Sequence, residues 1–182
     1  MKLLLKISVF IIPMSFIFMF FILLTNEDSY PGADYDIYEM PQFELKDLDN
    51  IETIRTDLFN GDFILNVWAS WCITCIIEHP YLMSLNSRGI SVIGLNYKDE
   101  RDDAVIWLNK YGNPYKTIIH DFKGTLALDL GVTGAPETFL ISNGQIVAHF
   151  QGEVNDLIWK DVFLPVIEAV SYTHLTLPTT YG

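Results

Sequence analysis

Asp62-Phe63-Ile64-Leu65-Asn66-Val67-Trp68-Ala69-Ser70-Trp71-Cys72-Ile73-Thr74-Cys75 is a run of β-formers that leads straight into a dithiol, with a helical pattern following from Cys75 to Asn86. This order places Cys72 at a helix N-terminus, where unpaired backbone N–H groups and aligned peptide dipoles favour negative charge. A thiolate there is stabilised: in Cys-X-X-Cys motifs so placed the pKa falls from about 8.5 to between about 3.5 and 7.5. Cys72 is accordingly read as the nucleophile and Cys75 as the resolving thiol, and both are the catalytic candidates.

The two cysteines are the only ones in the chain. A purely structural disulfide across two residues closes so short a loop that it adds little stability. Covalent haem attachment needs His directly after the pair, where this chain has Ile76. A zinc site lacks ligands, since only His79 lies near. Neither a metal nor a cofactor is expected.

Outward from the dithiol, the strand candidates are Phe63 to Trp68, Ser91 to Asn96, Thr117 to His120, Thr138 to Ser142 and Ile146 to Gln151. Helix-length segments, Cys75 to Asn86 and Arg101 to Lys110, separate the earlier ones, as parallel crossovers require. Asn143-Gly144 between the last two predicts a type I′ hairpin and hence an antiparallel pair. Asn155 to Val170 reads as a final amphipathic helix buried through Leu157, Ile158, Val162, Ile167 and Val170, bent or shortened at Pro165. Pro41 to Leu45 reads as a first edge strand. The fold class is α/β, a mixed central sheet flanked by helices.

The chain of 182 residues is organised around one such domain. From Ile7 to Leu24 it is apolar except for Ser8, Pro13 and Ser15, which just reaches the length of a transmembrane helix. Lys2 and Lys6 precede this stretch, so residues 1–25 are read as a signal anchor with the rest exported. No small-X-small cleavage pattern follows it, which favours an uncleaved anchor over a removed signal peptide. Residues 26–40, with Glu27, Asp28, Asp34, Asp36 and Glu39 around Pro31-Gly32, read as an acidic linker. The domain occupies 41–170. Residues 171–182 carry no charge and no period, and are expected to be disordered or a spurious tail. A net charge of −12 argues against nucleic acid as a partner.

In an oxidising compartment such a dithiol either oxidises other proteins or is kept reduced by a dedicated donor. Its first sulfur must also lie open to a visiting chain.

Further segments carry a resemblance: Glu78-His79-Pro80, Gly94-Leu95-Asn96-Tyr97-Lys98-Asp99, Gly112-Asn113-Pro114-Tyr115, and Gly131-Val132-Thr133-Gly134-Ala135-Pro136-Glu137-Thr138-Phe139-Leu140. With the dithiol, they resemble the DsbE/CcmG family of membrane-anchored, thioredoxin-like thiol:disulfide interchange proteins of cytochrome c maturation. The resemblance spans about Pro41 to Val170 and implies a thioredoxin-like fold. It implies a periplasmic reductase, held in the inner membrane by a single span, that receives electrons from a membrane donor of the DsbD/CcdA type. The acceptor would be the haem-attachment cysteines of apocytochrome c, or a cytochrome c maturation protein.

By the same likeness, Ala135-Pro136 is a cis peptide facing the dithiol, Pro80 kinks the active-site helix, and Glu78 and Glu137 lie near the cysteines. A nearby carboxylate disfavours a thiolate, yet it can also carry the proton of Cys75; a plain surface acid is the other reading of each. Asn66 replaces the buried aspartate of thioredoxins, which favours recruiting one of the two glutamates. Trp71 is read as a docking residue beside Cys72, or else as a cover of the sheet. Pro136 is read as part of the docking site. The family often has proline between its cysteines; here Ile73-Thr74 stand there, which leaves the reduction potential open. A general extracytoplasmic thiol reductase is the nearest alternative. A Cu(I) carrier is the other, weakened because Met1, Met14, Met19, Met40 and Met83 do not cluster near the pair.

Overall fold

The computed structural model describes residues 2–25, 30–56 and 61–175, with side chains at 11–22, 30–56 and 61–170. It divides into two units, residues 1–31 and 32–182. The first holds one helix, α1 (Lys2–Thr25), with Pro13 inside it. Among the described residues no helix is long and apolar enough to cross a membrane. The expected span Ile7 to Leu24 lies partly outside the residues with described side chains.

In the second unit the chain order is β1 (Ala33–Asp34), β2 (Tyr38–Glu39), β3 (Glu44–Lys46), β4 (Thr53–Arg55), β5 (Asp62–Trp68), α2 (Ile73–Ser87), β6 (Val92–Tyr97), α3 (Arg101–Tyr111), β7 (Thr117–Asp121), α4 (Thr125–Asp129), β8 (Glu137–Ser142) and β9 (Gln145–Gln151). A composite helix follows: α5 (Asp156–Ile158), a π-helical stretch (Trp159–Phe163) and α6 (Leu164–Leu175). The main sheet runs β1-β9-β8-β5-β6-β7, with β2 also on β9. β5, β6 and β7 are parallel, whereas β8 lies antiparallel to β5 and to β9. This is the thioredoxin-like arrangement of β-α-β units followed by a hairpin. Asn143 (φ 49°) and Gly144 (φ 81°) both occupy the left-handed region, as a type I′ turn demands.

The pleat of β5 sorts the interior into two halves. Phe63, Leu65 and Val67 join Leu95, Ile119, Phe139, Ile141 and Ile146 with Ile54 and the α4 side chains Leu126 and Ala127. Each buried side chain of this size contributes roughly 1.5–3 kcal/mol by leaving water. From the other half, Asn66 bonds to α2 through Glu78, and Trp68 lies 5.0 Å from Trp107 of α3 and 5.4 Å from Tyr115, between ring centroids. The chemistry-bearing residues of β5 thus face the active-site helix.

Several expectations need correcting. The segment 26–40 is not wholly a linker, because β1 and β2 pair with β9. Pro41 to Leu45 does not edge the main sheet; β3 pairs with β4 in a separate two-stranded sheet. Helix α2 starts at Ile73 and continues past Pro80 to Ser87. In the final helix Leu157 is exposed, while Trp159 and Phe163 are buried beside Ile158 and Val162; Ile167 and Val170 are half-buried. The π-helical stretch adds a residue to the turn and rotates the buried face away from a 3.6-residue period. The helix also passes Val170 and runs to Leu175, so 171–175 are helical; 176–182 lie outside the described residues.

Candidate active site

Cys72 is the N-cap residue of α2, in extended backbone, and its Sγ accepts the Cys75 backbone N–H at 3.1 Å. Hydrogen bonding and the helix dipole therefore converge on the sulfur read as nucleophilic. The two cysteines form a disulfide. Opposite them, Ala135-Pro136 is a cis peptide, and the Ala135 carbonyl oxygen lies 3.4 Å from Cys72 Sγ.

Access is narrower than the sequence reading required. As whole residues Cys72 is 4% exposed and Cys75 1%, so in the oxidised form the first cysteine keeps a small surface and the second almost none. What solvent meets instead is the rim: Trp71 is 54% exposed, with Ile73 and Ile77 of α2 also exposed. Trp71 does not cover the sheet; its indole N–H donates to the Lys98 carbonyl at 3.0 Å and its ring stands beside Tyr97.

Neither glutamate is a surface acid. Glu78, one turn after Cys75, is 2% exposed; its Oε1 accepts from Asn66 Nδ2 at 2.8 Å and its Oε2 from the Val154 N–H at 3.0 Å. Burial pushes its carboxyl up to about 8, against the lowering effect of the Val154 and Asn66 hydrogen bonds. Asn66 also donates to Thr138 Oγ1 at 3.1 Å and accepts from the Tyr115 hydroxyl at 2.9 Å. Burial, then the Glu78 charge, hold the Tyr115 phenol well above its ordinary value. The asparagine is thus the junction of a buried polar chain behind the dithiol.

Glu137 is engaged differently. Its Oε1 accepts from the Thr133 N–H at 2.8 Å, the Thr133 hydroxyl at 2.6 Å and the Gly134 N–H at 2.9 Å, clamping the loop that carries Ala135-Pro136. Its Oε2 accepts from His149 Nε2 at 2.8 Å. Burial raises the Glu137 pKa, but the bonds from His149, Thr133 and Gly134 outweigh it and the net shift is downward. It is a fixed anion, unlike Glu78. His79 is not turned to the thiols: its Nε2 lies 3.1 Å from the Gly112 carbonyl and its ring meets Trp107 edge-on. Among the described residues no group of three or more His, Cys, Asp or Glu is placed to hold a metal.

Sequence reasoning assigned no role to Tyr115, Thr133, His149 or Asp99. Tyr115, Thr133 and Asp99 lie in the quoted segments, but only the fold shows what each one holds.

Residues 38–161 match the redoxin family. The chain is 48% identical over 132 residues to the thiol:disulfide interchange protein DsbE of Vibrio cholerae serotype O1, covering 71% of this chain and 72% of that protein. It belongs to the DsbE thiol:disulfide interchange family. The DsbE of Escherichia coli K12 is 46% identical over 136 residues, covering 72% of this chain and 74% of that one. Among solved structures, a secreted thiol-disulfide isomerase from Corynebacterium glutamicum superposes with a TM-score of 0.59 at 27% identity, over 79% of this chain and 95% of that one. A DsbF homologue from Corynebacterium diphtheriae reaches 0.62 at 21% identity over 79% and 95%, a likeness of fold. Like its DsbE relatives, this chain is a thiol:disulfide oxidoreductase whose redox centre is Cys72 and Cys75.

Proposed function

We propose that this DsbE-family protein works as a reductase on the haem-attachment cysteines of apocytochrome c, or on a maturation protein that presents them. The observation that carries the reading is the capped Cys72 sulfur set 3.4 Å from the Ala135 carbonyl, with a buried carboxyl one turn behind Cys75. The reduced Cys72 thiolate attacks one sulfur of the partner disulfide, and the other partner sulfur leaves as a thiolate. Cys75 gives up its proton and attacks Cys72 in the mixed disulfide. The partner departs with two added electrons, and the Cys72–Cys75 disulfide is regenerated.

Glu78 suits the proton step. A carboxyl titrating near 8 is matched to a thiol whose ordinary pKa is about 8.5, so its ionised form takes up the Cys75 proton at little cost and releases it again afterwards. A membrane donor of the DsbD/CcdA type then reduces the pair again. The apolar run Ile7 to Leu24 behind Lys2 and Lys6 supports a single-span inner-membrane anchor with the catalytic domain in the periplasm.

The test is a Cys75→Ser variant of the full chain expressed where c-type cytochromes are made. A mixed disulfide to apocytochrome c or one maturation protein is the expected result. Adducts spread over many unrelated exported proteins would replace this reading with a general reductase, and absence of any adduct would remove the exchange mechanism.

A further inference from the structure

Cys72 is preceded by two residues that are both held from one distant turn. Asp99, buried after β6, accepts the Ser70 backbone N–H at 2.6 Å and the Asn96 side-chain amide at 2.8 Å on Oδ2, and the Ser70 hydroxyl at 2.6 Å on Oδ1. Asn96 in turn lies 2.9 Å from His120 Nδ1 through its Oδ1. One residue before Asp99, the Lys98 carbonyl takes the Trp71 indole N–H at 3.0 Å. Lys98 sits at φ 45°, a left-handed conformation that a non-glycine residue adopts at a cost, and its own N–H is tied to the Asp121 carbonyl at 3.0 Å. Beneath it Gly124 leaves no room for a side chain: a Cβ there would lie 2.5 Å from Lys98 Cε and 2.9 Å from Tyr97 Cε2. The turn is thus tied to Asp121 by backbone and holds Ser70 and Trp71 together.

We propose that Asp99 is a positioning residue for the attack by Cys72. It fixes the Ala69–Cys72 turn, closed by the Cys72 N–H to Ala69 carbonyl bond at 3.2 Å, so that Sγ meets the Cys75 N–H, one of the free donors in the first turn of α2. Helix-end stabilisation of a thiolate falls away within one turn, so it depends on that alignment. A carboxylate beside a thiolate would by its charge alone oppose ionisation. Three donors already occupy it, and what remains is its geometric effect. A carboxylate accepts from all three at once; an amide in its place turns the Ser70 hydroxyl from donor to acceptor and gives up the charge that strengthens each of these bonds.

This inference rests on thiol–disulfide exchange at Cys72, whatever the natural acceptor. The experiment uses the reduced full chain, glutathione disulfide as probe, and ultraviolet titration of the Cys72 thiolate. Asp99→Asn is expected to raise the thiol pKa by about one unit, which leaves roughly tenfold less thiolate at a pH below both values. The reaction at such a pH should slow as well. Ser70→Ala should shift both in the same direction by less, and the double variant should resemble Asp99→Asn alone, the mark of two groups acting through one contact. A fall in melting temperature with thiol pKa and rate unchanged would reduce Asp99 to a structural role, and strictly additive effects would show that it does not act through Ser70. Should Asp99→Asn fail to fold, Ser70→Ala decides: a raised thiol pKa supports the inference and an unchanged one overturns it. Failure of the wild-type chain to react would instead remove the exchange reading itself.

Discussion

His149 Nε2 on β9 donates to Glu137 Oε2 on β8 at 2.8 Å, while the imidazole lies flat on Phe139 with ring centroids 4.0 Å apart. One buried pair thereby joins the outer hairpin to the loop that faces the dithiol.

From this follows an acid-sensitive loop. Because the folded-state pKa of Glu137 lies below its ordinary 4.5, its contribution is complete above that value and fades as pH falls through the folded value. Glu137→Gln should destabilise the protein at pH 7 by about 1–3 kcal/mol, the cost of stripping charge-assisted bonds from buried donors. In urea unfolding the gap from wild type should narrow below about pH 4. A gap constant from pH 7 to pH 3 would show that the carboxylate charge is not what holds the loop.

Glu78 should act in the opposite sense. Its folded-state value near 8 exceeds the ordinary 4.5, so stability is complete below 4.5 and drops as pH rises toward 8. One proton gives a slope of at most about 1.4 kcal/mol per pH unit. His79 and His120, whose pKa values burial lowers from the ordinary 6.5, pull the other way, so the difference between wild type and Glu78→Gln is the quantity to follow. That difference should move in favour of the glutamine variant between pH 5 and pH 8; a flat difference would mean that Glu78 ionises as an ordinary carboxyl.

Gly94 tests how tightly the second half of the interior is packed. A Cβ at this site would lie 2.8 Å from Trp68 Nε1 and 2.9 Å from Tyr115 Cγ, both in side chains held by stacking. Gly94→Ala is expected to lose about 1–3 kcal/mol and to loosen the Tyr115–Asn66 bond. Unchanged thermal stability would show that the two rings move aside freely.

Asn155 caps the composite helix, its Oδ1 accepting the Leu157 N–H at 3.0 Å and the Ile158 N–H at 3.1 Å. Asn155→Ala should cost about 1 kcal/mol, with Asp or Ser at the same place restoring most of it. Equal losses for all three substitutions would rule out capping as the cause.

The legible parts of this chain were those whose signal is local. Asn143-Gly144 announces its hairpin because both residues tolerate positive φ, and the largely apolar runs of β5 and β6 stand out because burial on both faces removes polar alternation. The dithiol with its helix start was readable for the same reason. Tyr38-Glu39 and Ala33-Asp34 gave no such signal, since their pairing is imposed by β9, more than a hundred residues away. Nor did spacing mark Asp99, which meets Ser70 across 29 positions, or the π-helical stretch that brings Trp159 and Phe163 inward. The burial of Glu78 followed from no local pattern either; it is the return of Val154, 76 residues later, that closes the site over it.

The chain's own backbone covers β9 with two short strands and touches β7 through one isolated bridge. Ala33–Asp34 and Tyr38–Glu39 lie along β9, and Asp47 bridges to Ile119 on β7. Among the described residues, an extended polypeptide arriving at the β9 side thus meets two-residue strands rather than a long open ladder, which disfavours edge-to-edge self-association there. Asp34 and Glu39 also put exposed negative charge on that margin, a further discouragement to pairing with another chain.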